Sequence, residues 1–249
     1  MQKINQVFRK KEIVIGTWLS MNDVVIIELA KAAGFDFVRI DNEYVPYDIN
    51  MIAQLIRIAN LAGIPIIVRI ARLDDIPFFI NFGADGIMIP DATLERTKEA
   101  IERVKYAPVG QRAMNGSSRA LQVSGLSFKE FHKQANDSIS LTVQIENLQG
   151  MAEIDEILAL EGVDLVGSGR QDVSQALGFP GEPNHPKVYE FEDTVIKKAL
   201  QFGKIPVMVA NNKEERDKYM KKGVNVLIAG RDQNFLSDGM RNLVQALRT

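Results

Sequence analysis

From end to end the sequence alternates short, β-branched apolar runs with longer stretches of helical spacing, a rhythm that a parallel sheet covered by helices satisfies. Runs at 13–20, 35–40, 64–70, 86–90, 139–146, 163–166, 205–210 and 224–229 read as strands buried on both faces. Helical patterns at 23–33, 48–62, 75–82, 94–105, 151–160, 190–202, 213–222 and 235–248 lie between and after them. About eight such units predict a (β/α)8 TIM barrel filling 1–249 as a single domain. The competing architecture is an open parallel sheet. A glycine-rich dinucleotide turn after the first strand would favour it, and Gly16-Thr17-Trp18-Leu19-Ser20 is not one. Region 106–137 breaks the rhythm and reads as a loop that covers the rim or reaches a neighbouring subunit. No internal repeat stands out.

In a barrel the C-terminal strand ends form the reaction site, so the acids found there matter most. The segment LTVQIENLQGMAEIDEILALEGVDLVGSGRQDVSQALG, 141–178, delivers Glu146 to the end of one strand and Asp172 to a glycine turn after the next. Strand, crossover helix and strand bring both carboxylates to one rim. Either acid alone is ordinary as a helix cap or a solvated loop residue. Together, with Gly167 and Gly169 exposing backbone N–H groups to an anion, they read as half of a Mg or Mn site completed by water and substrate oxygens.

Composition removes several other chemistries. Cysteine is absent, which excludes disulfides, thiolate metal sites and a cysteine nucleophile. The formal charge of -2 leaves no basic footprint for nucleic acid. Of the two histidines, His185 sits in a Pro-Asn-His-Pro turn and His132 on an amphipathic piece beside Phe131, and neither is read as catalytic. No run approaches the ~20 apolar residues that cross a bilayer. Residues 1–11 lack a leader pattern, so a soluble cytoplasmic protein is expected. No lysine stands at a strand end to form a Schiff base.

The ordered segments GTW, GFDFVRIDNEY, VRI, GADGIMIP, PVGQR, VQIEN and GVDLVGSGRQDVSQALG resemble the metal-dependent class II pyruvate aldolases, the 4-hydroxy-2-oxoheptane-1,7-dioate and 2-dehydro-3-deoxyglucarate aldolase family. The resemblance runs from about Gly16 to Asp232 and is strongest in the QIEN and GRQDVSQALG pair. It implies that Glu146 and Asp172 are metal ligands for Mg, Mn or Co and that Arg69 faces the ketone oxygen. It also implies that the backbone at Gly169, Arg170 and Gln171 holds the pyruvate carboxylate. A carbon–carbon lyase is expected, splitting a 4-hydroxy-2-oxoacid into pyruvate and an aldehyde through an enolate. Such enzymes are commonly homo-oligomers, hexamers or trimers of dimers, with the last helix packed on a neighbouring barrel. Trp18 is expected to floor the pocket, and Arg112 and Arg119 to hold a distal substrate carboxylate if their loop closes over the rim.

The sequence departs from the family at one point of chemistry. Where the resemblance calls for histidine after Asp41-Asn42-Glu43 stands Tyr44, and its partner aspartate is replaced by Asn81. A phenol titrates near 10 rather than 6.5, so it is a poor base at neutral pH though still a hydrogen-bond donor. Three expectations follow: proton transfer assisted by Glu43 with aldol chemistry retained, another enolate reaction of citrate-synthase or thioester-lyase type, or a weakly catalytic oxoacid-binding paralogue.

Overall fold

The computed structural model describes residues 4–248. Its strands are β1 (Val14–Leu19), β2 (Phe37–Asn42), β3 (Ile66–Ile70), β4 (Gly86–Ile89), β5 (Ser140–Gln144), β6 (Leu165–Gly167), β7 (Ile205–Val209) and β8 (Val226–Arg231). Each pairs in parallel with the next, and β8 returns to β1, so the sheet closes into the expected (β/α)8 barrel. Apolar side chains are needed on both strand faces. Val68, Ile70, Leu141 and Val143 meet the surrounding helices, while Phe37, Ile67, Met88, Leu165 and Val207 fill the lumen.

The bottom of the lumen is plugged by the helix Ile4–Lys10, whose buried Ile4 and Phe8 stand one turn apart. Phe8 meets Phe37 edge-on at 5.1 Å. Nothing longer than that i, i+4 pair marks this helix in a polar stretch.

Every second strand is entered through glycine, one residue, then Asp or Asn: Asp36, Asp85, Asp164 and Asn225. The carboxylates accept N–H groups near the start of the preceding strand, from Ile15 at 2.9 Å, Ile66 at 3.0 Å and Leu141 at 2.9 Å. Asn225 instead donates to Phe8 O and Lys11 O. This fourfold device is three residues long, too short to stand out in the sequence.

Region 106–137 corrects one expectation. It contains the helices Arg119–Ser124 and Phe128–Ser138, the second opened by a Ser127–Glu130 capping box. Phe131 faces a cavity shared with Gly63, Asp85 and Ile139, all of which precede strands, so this part packs at the N-terminal end of the barrel, away from the rim that carries the acids. His132 lies among the rings of Tyr106, Phe128 and Phe131. The 151–160 pattern is two helices meeting at Glu153, and a further helix, Arg170–Ala176, follows β6. His185 caps the helix Pro186–Gln201, accepting the Lys187 N–H at 3.2 Å and stacking on Phe179.

Asp164 is the busiest of the strand-entry acids. Its Oδ2 takes Lys105 Nζ as well as the Leu141 N–H, and its Oδ1 takes Asn5 Nδ2 at 2.8 Å. Lys105 is buried, so removing its counter-charge leaves an unpaired ion in the protein. Asp164→Ala is expected to cost about 3 kcal/mol, seen as a lower urea midpoint at unchanged slope. Asp36→Ala, whose partner Lys11 is exposed, should cost about 1 kcal/mol.

Candidate active site

A cavity of about 610 Å³ opens at the C-terminal mouth of the barrel. On one wall, Gln144 at the end of β5 and Glu146 two residues later share a face through strand alternation. Glu146 is buried; its Oε1 accepts the Asp91 N–H at 3.1 Å and its Oε2 accepts Gln144 Nε2. Asp91 takes a left-handed backbone, φ 48°, to aim that N–H.

Asp172 lies in the first turn of the helix Arg170–Ala176, whose N-cap is Gly169. The convergence of the two acids is visible at that glycine. A Cβ there would collide with Glu146 Oε2 while standing 2.5 Å from Gln144 Nε2 and 3.3 Å from Asp172 Oδ2. Only glycine leaves the space between them open.

These residues fit a hard divalent cation. The donors are carboxylate oxygens, and Gln144 Oε1 beside them is buried with no partner. Among the described residues no group of three or more His, Cys, Asp or Glu side chains is placed to hold a metal ion, so a cation here would take its remaining ligands from water and substrate. Burial pushes the Glu146 carboxyl up to about 8, the Asp91 N–H opposes the rise and the charge of Asp172 adds to it. Two acids side by side, Glu146 buried and Asp172 half-buried, are short of positive charge.

The opposite wall is cationic. Arg69, on β3, donates from Nε and Nη2 to Asp41 Oδ1 at 3.0 and 2.7 Å, and its Nη1 lies 3.1 Å from Glu43 Oε2. Arg231, at the end of β8, donates to the other Asp41 oxygen at 2.9 Å. Burial would raise the Asp41 carboxyl, but the hydrogen bonds and charges of Arg69 and Arg231 outweigh it and hold the group below its ordinary value. Trp18 stands between the guanidinium groups, with the Arg69 carbon 4.6 Å and the Arg231 carbon 5.8 Å from its ring centre.

At the rim, Tyr44 is 66% exposed and its ring lies 4.9 Å from the Arg69 carbon. Burial of the hydroxyl region and the charges of Glu43 and Asp172 push its phenol above the ordinary value. Burial also raises the Glu43 carboxyl, against the pull of Arg69.

The cavity thus gathers Trp18, Tyr44, Arg69, Gly169, Arg170, Gln171 and Asp172, with Glu146 and Glu43 in contact with its lining. The Arg170 side chain is committed elsewhere, bonded to Glu192, Glu215 and Tyr219 between the outer helices, so it anchors its helix and leaves only backbone to the site. Arg112 and Arg119 are not brought in. Arg112 is buried against the Tyr106 ring and donates to Asn81 Oδ1 at 2.7 Å, and Arg119 donates to Asn60 Oδ1 and Phe82 O. Asn81 therefore faces Arg112, with no bond to Tyr44. The sequence reading missed Gln144, Arg231 and Arg39. The first and last sit two residues before Glu146 and Asp41, on the same strand faces, a period-2 signal that was available.

The raised Glu146 carboxyl makes a signed prediction. A carboxyl that holds its proton more tightly folded than unfolded costs nothing below its unfolded value of 4.5, and it destabilises the metal-free protein progressively as pH rises to about 8. Glu146→Gln is therefore expected to raise the calorimetric Tm of EDTA-treated protein at pH 8. The gain should shrink toward zero at pH 5.

The sequence profile of the HpcH/HpaI aldolase/citrate lyase family matches residues 14–238. The chain is 33% identical over 245 residues to the hydroxypyruvate/pyruvate aldolase of Pseudomonas aeruginosa, covering 97% of this chain and 91% of that one. It is 31% identical to the 2-keto-3-deoxy-L-rhamnonate aldolase of Escherichia coli, with 93% and 88% covered. The crystal structure of the citrate synthase SbnG superposes with a TM-score of 0.90 at 28% identity, over 98% of this chain and 97% of that one. The chain belongs to the HpcH/HpaI aldolase/citrate lyase family and is a carbon–carbon lyase.

Proposed function

We propose that the chain is a divalent-metal-dependent pyruvate aldolase, joining or parting pyruvate and an aldehyde. The observation that carries this is the pairing, across one cavity, of two converging carboxylates with an arginine fixed from behind by Asp41. Glu146 and Asp172 would hold Mg, Mn or Co, and an ion so placed supplies Lewis acidity to the ketone of a bound oxoacid.

The chain's own residues do the rest. Arg69 presents a planar fork of N–H donors where negative charge builds on the ketone oxygen. The first-turn N–H groups after Gly169 have no intrahelical acceptor and receive the substrate carboxylate. Trp18 floors the pocket. Tyr44 keeps its proton at neutral pH and so donates a hydrogen bond to the aldehyde oxygen, leaving proton removal to Glu43 beside Arg69. One observation favours a second reading, attack of the same nucleophile on another carbonyl: the likeness to a citrate synthase spans nearly the entire chain.

The working unit is a homo-oligomer, a hexamer or trimer of dimers. The last helix, Asp232–Arg248, buries only Asp232 and exposes Met240, Leu243, Val244 and Leu247 in a stripe. A single chain leaves that face in water, where few hundred-Å² apolar patches persist without a partner. Light scattering is expected to give a multiple of 27.8 kDa, reduced by Leu243→Glu with Leu247→Glu. A monomeric wild type would refute this assembly.

Proton NMR of pyruvate in deuterated buffer tests the chemistry. Methyl deuteration is expected with Mg or Mn, absent in EDTA, and reduced at least 100-fold in Glu146→Gln and Asp172→Asn. Exchange in Tyr44→His alone would show that the phenol has cost this chain its proton transfer. No exchange in any variant would leave only oxoacid binding.

A further inference from the structure

Four arginines line the cavity, and three are matched by carboxylates: Arg69 and Arg231 by Asp41, Arg170 by Glu192 and Glu215. Arg39 is not. It is 3% exposed, its Nε and Nη2 are buried without a partner, and no carboxylate pairs with it among the described residues. Alternation along β2 puts it on the lumen face between Phe37 and Asp41, one step deeper than the Asp41–Arg69 pair. The same cavity is lined by the apolar Met88, Val207 and Ile228. Burial and the nearby Arg69 charge lower the Arg39 guanidinium to about 9, still cationic at neutral pH.

Burying an ion without a counter-charge is unfavourable, so a fold carrying one at the bottom of its ligand cavity is short of an anion there. The described residues do not supply it. The substrate carboxylate that meets the N–H groups after Gly169 belongs to the far wall, so an anion at Arg39 is a second one. The Arg39 carbon lies 5.6 Å from the Trp18 ring centre, against 4.6 Å for Arg69, and all three side chains line the same cavity. A planar guanidinium edge matches a carboxylate.

We propose that Arg39 is a substrate-specificity residue, receiving on the cavity floor a second carboxylate, so that the ligands preferred here are small dicarboxylates, 2-oxo-dicarboxylates among them. The 2-oxo part of this inference rests on the oxoacid reading above; the floor site itself does not.

Isothermal titration calorimetry on the intact oligomer with matched pairs tests both parts. The pairs are 2-oxoglutarate against 2-oxopentanoate with Mg, and succinate against butanoate in EDTA; in each the distal carboxylate is replaced by a methyl group. Wild type is expected to bind each diacid at least tenfold tighter than its monoacid. Arg39→Met should bring both ratios within twofold while leaving monoacid affinity unchanged, and Arg39→Lys should keep part of the preference.

Equal binding within pairs in wild type, or a preference that survives Arg39→Met, overturns the proposal. So does a loss shared equally by monoacids and diacids, which would mean that Arg39 only braces Trp18. The succinate pair needs neither metal nor ketone, so its preference stands even where pyruvate exchange fails. Conversely, exchange without a diacid preference sinks the floor site alone.

Discussion

Asp41 holds the reacting end of the barrel together. It is completely buried, and its two oxygens tie β2 to β3 through Arg69 and, across β1, to β8 through Arg231. An unpaired carboxylate in that position would be expelled or protonated; two guanidinium groups keep it charged, and it in turn fixes their orientation. The stiffness of Arg69 is therefore borrowed. Its Nε and Nη2 are spent on Asp41, and the edge left toward Trp18 and the cavity cannot swing away.

That arrangement polarises the cavity across its width. Glu146 and Asp172 gather acids at β5 and β6, and Arg39, Arg69 and Arg231 give β2, β3 and β8 positive charge that Asp41 and Glu43 only partly offset. Neither wall is balanced by itself. In the proposed reading, an oxoacid with a cation on one side and a guanidinium on the other would neutralise both, as a preorganised site does when it lowers the cost of developing charge. The open space kept by Gly169 matters for the same reason, because any side chain there would occupy the gap between the acids.

Much of this was legible in the chain, and the reasons are physical. Strands buried on both faces must be nearly continuous β-branched runs, so all eight stood out as such. Glu146 and Asp172 could be placed because C-terminal strand ends converge in a closed parallel barrel. The expectation that region 106–137 covers the rim or reaches a neighbouring subunit fails in its first half: short, polar helices look like loop in the sequence, although Ser127 and Glu130 stand at capping-box spacing. Arg112 and Arg119 went astray with it: a long side chain says nothing of which end of the barrel it serves. Arg39 was hidden for a different reason. Within FDFVRI it looks like a polar interruption of a strand, and only closure of the barrel turns that side into a lumen.

The exchange of histidine for Tyr44 also reads differently in three dimensions. A base must approach its proton with a lone pair, yet Tyr44 is mostly in solvent, lies against Arg69 and is surrounded by acids that make ionisation harder. Asn81, which would have to steady a basic partner, is already spent on Arg112 within the same chain. Both halves of the expected relay have therefore lost proton-accepting character together. Glu43 stands at the same strand exit, its carboxyl raised by burial against the pull of Arg69. A raised acid is the better base, since the proton it takes is held more tightly. In the function proposed above, proton removal moves by one residue along the same strand exit, from position 44 to position 43, and the pair Glu146 and Asp172 keeps its place.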